Sequence, residues 1–340
     1  MKKILFSIIA LVGLLSSCSN DDIIVERKTT IKVNPSQVIA PFNYEVNAGE
    51  LESFATTHKL RVTILAYNKD GLLKARDTQY LTNYAGLATC NLQLEKGEYD
   101  IVAITDVVEY TNSEVSFEYW KLSGENNILT TKMTDAGYIG GKYKIMGIAR
   151  EYIYVDFDNN DIILYPQPVG ALCLVEWYNI HTFYDVTEYT LAMNRSSDFL
   201  QLNNSSGWDV TPENNNNSFD WRLAYLKPSD YKDNSNSYNQ GHSIYGYYYC
   251  LPMSLSFKYQ AKTENEKFDL TDPVQVNFEA GKEYLFFLDL HDEEFNGGIT
   301  YGCGILLNGK SMPSSAPKMS RMFNSGSIYI KDINKSNSNQ

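Results

Sequence analysis

From Gly86 to Leu94 apolar and polar residues alternate one by one, with Ala88, Cys90, Leu92 and Leu94 falling on one side. A period of two is the repeat of an extended chain, so this stretch commits to a strand with one buried face. Leu60 to Tyr67, Leu255 to Tyr259 and Val274 to Phe278 read as further strands. Composition points the same way: 26 Tyr, 15 Phe and only 21% charged residues, with few long helical patterns, favour sheets over helices. The expected class is all-β, and 340 residues give a prior of two domains.

The N-terminus sets the compartment. Lys2 and Lys3 precede a mostly apolar run from Ile4 to Leu15, and Leu15-Ser16-Ser17-Cys18 follows. That run is too short for a permanent membrane helix, which needs about 20 residues. Its similarity to bacterial lipoprotein signals implies cleavage before Cys18, acylation of Cys18 and an anchored mature chain. Asp21 and Asp22 just after it resemble the acidic export signal that sends lipoproteins of gut and oral Gram-negative anaerobes to the outer face of the outer membrane. Ile23 to Lys28 reads as a tether.

Charge and cysteines narrow the chemistry. With 29 Lys and Arg against 41 Asp and Glu, the net charge of −12 argues against a nucleic-acid partner. Cys90, Cys173, Cys250 and Cys303 form no Cys-x-x-Cys pair and so give no usual zinc spacing; Cys90 and Cys173 share alternating apolar faces and read as buried small hydrophobes. Four cysteines allow three disulfide connectivities, and sequence does not choose among them.

Along the chain, Thr29 to Val33 begins the strand pattern. Asn68-Lys69-Asp70-Gly71 is a turn between Leu60–Tyr67 and Leu72–Tyr80, giving a hairpin. A second hairpin is expected at Gly97, joining Gly86–Leu94 to Tyr99–Thr105. Tyr110 to Gly141 reads as a long excursion carrying a short helix. Asp156, Asp158 and Asn160 have the spacing of opening calcium ligands, but Asp161 replaces the required glycine and Gln167 the closing Glu, so a solvated turn is preferred. Pro166 and Pro168 mark the expected domain boundary. Beyond it, Val169 to Ile180 is the strongest strand, Asn203 to Asn217 reads as a long polar loop holding Trp208, and Asp220 to Gly241 continues that excursion.

Two motifs carry a family resemblance. The turn Tyr67-Asn68-Lys69-Asp70-Gly71-Leu72-Leu73 and the segment Leu92-Gln93-Leu94-Glu95-Lys96-Gly97-Glu98-Tyr99-Asp100-Ile101-Val102-Ala103 resemble the N-terminal domain of fimbrillin-like lipoproteins, pilus subunits and anchors of gut and oral Gram-negative anaerobes. Gly281-Lys282-Glu283-Tyr284-Leu285 echoes the second motif with one extra residue before the tyrosine, which suggests two copies of one plan. The resemblance implies two tandem transthyretin-like β-sandwiches: signal peptide 1–17, acylated N-terminus and tether 18–28, an N-terminal sandwich 29–165 and a C-terminal sandwich 166–340. It also implies assembly with other fimbrial subunits by strand addition. A stalk subunit of that family loses its lipid and first strand to cleavage after Arg or Lys, and Arg27-Lys28 fits such a site, whereas an anchor keeps both.

No pattern of catalysis stands out. His58, His181, His242 and His291 lie far apart, and neither a Gly-x-Ser-x-Gly elbow nor a nucleotide loop occurs. His291-Asp292-Glu293-Glu294 reads as a charged loop closing a sheet. The expectation is a non-catalytic surface lipoprotein without cofactor or metal, serving as a fimbrial anchor or subunit. The alternative is a glycan-binding lipoprotein of a polysaccharide-uptake system, for which Trp208, Trp221 and Tyr245, with Tyr231 and Tyr238, sit in an Asn- and Ser-rich region suited to sugar hydroxyls.

Overall fold

A computed structural model describes residues 25–42, 51, 53–136, 141–156, 160–178, 187–194, 198–203, 207–212, 221–226, 243–265, 267–269, 273–293, 298–307 and 329–332. The described elements are almost all strands. In the first half they are β1 (Glu26–Val33), β2 (His58–Asn68), β3 (Leu73–Leu81), β4 (Ala88–Glu95), β5 (Gly97–Thr111), β6 (Glu114–Glu118), β7 (Trp120–Ser123), β8 (Lys132–Asp135), β9 (Gly147–Val155), β10 (Asn160–Leu164) and β11 (Gln167–Pro168). The second half supplies β12 (Ala171–Tyr178), β13 (Glu188–Met193), β14 (Asp198–Leu202), β15 (Trp208–Pro212), β16 (Trp221–Leu226), β17 (Ser243–Cys250), β18 (Ser254–Lys262), β19 (Lys267–Asp269), β20 (Val274–Asn277), β21 (Glu283–Glu293), β22 (Gly298–Leu307) and β23 (Tyr329–Asp332).

A three-stranded sheet, β10-β1-β4, faces a larger one, β11-β9-β5-β2-β3, with β6 on β5. Their inner faces carry Ile31, Val33, Cys90, Leu92 and Leu94 from one side and Val62, Ile64, Ile101 and Ala103 from the other, all nearly or fully buried. The central strands β2 and β5 of the larger sheet are buried on both faces over most of their length, which is why they carry apolar residues on both sides, with Arg61, Thr63, Asp100 and Asp106 among the buried polar exceptions. Leu65, Tyr67, Val102 and Ile104 point away from the first core into a second, where they meet Trp120, Met133, Leu200 and Leu202.

That second core is roofed by a four-stranded sheet, β15-β14-β8-β7, made of strands from both sides of the proline segment. Phe199, Leu200 and Gln201 pair with Thr134, Met133 and Lys132. Val169, Leu172, Tyr249 and Leu251 join the same cluster. The Tyr249 hydroxyl locks this seam, accepting from Gly170 N at 2.6 Å and donating to Met146 O at 2.9 Å. Gly170 is required there, since a Cβ would stand 2.5 Å from Cys250 O and 2.6 Å from the Tyr249 ring.

The remaining strands form β17-β12-β21-β22-β23 and β16-β13-β18-β19, with β20 on β18. Phe257 of β18 meets Phe286 of β21 at 5.2 Å between ring centroids, so these two sheets also pack face to face. The protein is all-β, built from facing sheets.

Several local expectations change. The Asn68–Gly71 hairpin forms as read, with Gly71 at φ +75°. At Gly97, however, β4 and β5 do not pair; β4 lies on β1 and β5 lies between β2 and β9, so the turn carries the chain from one sheet to the other. Among the described residues, Tyr110 to Gly141 holds the short strands β6, β7 and β8 and leads into a 3-10 turn at Gly141–Lys144, not the expected helix. The polar loop around Trp208 is instead the hairpin β14–β15, because Leu200 and Leu202 on β14 are buried and Trp208 and Val210 on β15 pack against the same core. Trp221 to Leu226 is a strand paired with β13. His291 to Glu293 continues β21, paired with β22, instead of ending it.

Candidate functional site

Two places combine accessibility with unusual construction, and the first is β1. It lies between β10, to which it runs parallel, and β4, to which it runs antiparallel. No hairpin ties it to either neighbour, because both partners come much later in the chain. Its hold is the backbone ladder plus inward Thr29, Ile31 and Val33, all fully buried. Side-chain ties are light and exposed: Thr30 Oγ1 donates to Asn91 Oδ1 at 3.2 Å and Lys32 Nζ lies 3.5 Å from Asp161. Arg27 and Lys28 are inside this ladder, opposite Leu94 and Gln93. The described end of the chain repeats the device, with β23 added in parallel to β22 as an outermost strand.

The second place is a cleft of about 440 Å³ at the Asn68–Gly71 end of the large sheet, lined in part by Lys69, Asp70, Glu98, Asn127, Leu129 and Tyr152. At its back Arg150 binds Asp100 through Nε at 2.9 Å and Nη2 at 2.5 Å, and Nη1 donates to Asn203 O at 2.6 Å and Gly207 O at 3.0 Å. This buried guanidinium thereby fastens the β14–β15 turn to β5. Charge-assisted bonds of this forked kind fix orientation as well as adding energy. Tyr152 lines the cleft and Tyr154 follows two residues along the same strand, and they are 61% and 57% exposed.

Other charged groups are structural. Arg61 reaches Asp106 through Nε at 2.9 Å and Nη2 at 2.7 Å, also bonds Glu118, and donates to Trp120 O at 3.1 Å. Lys144 pairs with Asp135 at 2.5 Å, while Trp120 Nε1 donates to Lys144 O at 2.7 Å. His58 stacks on Tyr143 with ring centroids 3.9 Å apart and its Nε2 lies 2.9 Å from the Tyr119 hydroxyl; burial depresses its pKa. Among the described residues no group of three His, Cys, Asp or Glu side chains converges to hold a metal ion. Asp156, the first of the calcium-spaced residues, pairs instead with Lys96 at 2.6 Å.

The sequence-derived site residues do not form one cluster. Cys18, Asp21, Asp22, Tyr231 and Tyr238 lie outside the described residues. Trp208 opens β15 and is partly buried, packed on the second core rather than presented on a loop. Trp221 opens β16 opposite Met193, and Tyr245 sits on β17 opposite Glu176, in a different sheet. Cys90, Cys173 and Cys250 are buried. Missed at the sequence level were Arg150, Tyr152 and Tyr154. The signal for the tyrosines was present, since they alternate with Ile153 and Val155 and must leave the core face that those residues occupy.

No protein-family model and no curated protein matches the sequence. Among solved structures, the fold is similar to a candidate polysaccharide-binding protein from Bacteroides thetaiotaomicron, with TM-score 0.46 and 10% identity over 84% of this chain and 97% of that one. It is similar also to the fimbrial anchor protein Mfa2 from Porphyromonas gingivalis, with TM-score 0.41 and 11% identity over 84% of this chain and 98% of that one. A fimbrial assembly protein from Parabacteroides distasonis aligns at TM-score 0.39 and 12% identity, covering 83% of this chain and 99% of that one.

Proposed function

We propose that the chain is a non-catalytic surface lipoprotein that anchors a fimbrium and joins its neighbours by strand addition. In this reading residues 1–17 are removed, Cys18 is acylated, Asp21 and Asp22 direct export to the outer face of the outer membrane, and 29–165 and 166–340 are the two sandwich units. The carrying observation is β1, an unlinked strand seated between β10 and β4. A sheet that accepts the chain's own distant segment by backbone pairing has the chemistry by which a sheet edge accepts a segment of another subunit.

The position of Arg27 and Lys28 favours the anchor over the stalk. Both are held in the β1 ladder, whereas a protease needs a free extended segment. Cleavage after Lys28 would also leave Thr29 to Val33 paired in place, so it would remove the lipid without opening the sheet. Only a few residues separate Cys18 from Glu26, so the sandwich would sit within roughly 25 Å of the membrane surface. The test is Cys18→Ala expressed in the native host. The expected outcome is loss of label from radioactive palmitate and shedding of both the protein and its fimbriae into the medium. Fimbriae that stay on the cells would overturn the anchor role.

A further inference from the structure

We propose that the cleft between the Asn68–Gly71 turn and Tyr152 binds a neutral oligosaccharide, with Tyr152 as the stacking platform. This goes beyond the anchoring role and uses residues on a different face of the large sheet from β1.

The lining excludes other ligand classes. Lys69 and Arg150 are outnumbered by Asp70, Glu98 and Asp100, and the Arg150 guanidinium is already committed to Asp100, Asn203 and Gly207. An anion would therefore meet more carboxylate than free cation. A divalent cation lacks a ligand set, because Asp100 faces Arg150 and no three metal-ligating side chains converge among the described residues. A purely apolar ligand would leave the carboxylates of Asp70 and Glu98 facing it without solvent.

A sugar fits what remains. Its ring carries an apolar C–H face and a rim of hydroxyls, and it asks for an exposed aromatic plane beside groups that accept and donate hydrogen bonds. Tyr152 offers the plane. Its orientation is set in advance, since Arg150 Nη2 lies 3.4 Å from its hydroxyl and the guanidinium carbon 5.8 Å from its ring centroid. Because Arg150 is itself fixed, little ordering entropy is left to lose on binding. Glu98 and Lys69 make no ion pair among the described residues and are exposed. Asn127 accepts from Leu129 N with its Oδ1 at 2.9 Å, which turns its amide NH2 toward other partners. The volume of about 440 Å³ is that of a small-molecule site rather than a crevice. Tyr154, two residues along the same strand face, extends the platform past the cleft, which favours an oligosaccharide over a single ring.

The test is affinity electrophoresis of the full mature chain in gels containing a β-glucan, an α-mannan, a galactomannan, polygalacturonate or heparin. At least one neutral polymer should retard the wild type. Tyr152→Ala should weaken that retention about tenfold or more, Tyr152→Phe should stay within about threefold of wild type, and Glu98→Gln should fall between them. Thermal midpoints of all three variants should match wild type, because Tyr152 and Glu98 are exposed. Retardation by the acidic polymers alone, by none of the five, or equally in Tyr152→Ala would overturn the assignment. Shedding of fimbriae by Cys18→Ala reads the anchor role separately, so either claim can fail without the other.

Discussion

At Gly97-Glu98-Tyr99 and at Gly281-Lys282-Glu283-Tyr284 a glycine turn delivers a tyrosine to the start of a long strand, and both rings are buried. In the second copy the phenol also reaches back to the backbone just upstream: Tyr284 donates to Asn277 O at 2.8 Å and accepts from Glu279 N at 3.2 Å. The glutamates that precede them part company. Glu98 is exposed beside the cleft, whereas Glu283 is 4% exposed, because its turn docks onto the segment after the prolines through Gly281 N to Gly170 O and Leu172 N to Lys282 O. Burial pushes the Glu283 carboxyl up to about 8. One turn design thus serves an open sheet end in one half and a packed seam in the other, and only at the seam is the glutamate before the tyrosine taken out of water.

The largest expected effect tests what stabilises the open end. Asp100→Ala leaves the Arg150 guanidinium buried without its carboxylate and should lower unfolding free energy by about 3 kcal/mol in urea titration, whereas Glu98→Ala should change it by less than about 0.5 kcal/mol. Equal losses would erase the distinction between the buried pair and the exposed neighbour.

The seam gives the next effect, with opposite sign. The folded chain keeps a proton on Glu283 that the unfolded chain releases above its ordinary 4.5. Wild-type stability should therefore fall as pH rises from 4.5 toward 8 and level off above it. Glu283→Gln removes that loss, so it should be more stable than wild type by about 2 kcal/mol at pH 8 and indistinguishable from it below pH 4.5. A constant difference across this range would contradict the burial argument, and Glu98→Gln serves as the flat control.

The smallest effect concerns the two tyrosines. Tyr284→Phe deletes two partly buried hydrogen bonds while keeping the ring and should cost about 1 kcal/mol, whereas Tyr99→Phe should change stability by less than about 0.5 kcal/mol. A Tyr99→Phe loss as large as that of Tyr284→Phe in thermal unfolding would erase this difference between the two turns.

Strand existence was largely readable from sequence, because Ala88-x-Cys90-x-Leu92-x-Leu94 alternates and Leu60 to Tyr67 does not, matching one covered face and two. Strand partners were not. The Gly97 turn has the composition of a hairpin and acts as a corner, since which sheet receives β5 depends on β2 and β9, not on the turn. The β14–β15 hairpin was hidden by its Asn and Ser content, although Leu200, Leu202, Trp208 and Val210 keep the period-two signal. The Asp100–Arg150 pair joins residues whose neighbours in sequence say nothing of each other, and only the β5–β9 register brings them together.

The placement of β1 also dictates an order of events. Thr29 meets Asn160 and Val33 meets Leu164, so β1, the first of the described strands in the chain, has no complete slot until β10 has followed it. Ordering that much intervening chain before the contact forms makes closure by β1 a late, slow step. Until then the inward faces of Ile31 and Val33, and the backbone edges of β4 and β10, stay open to any extended segment nearby, which is the period when mispairing and aggregation threaten this chain most.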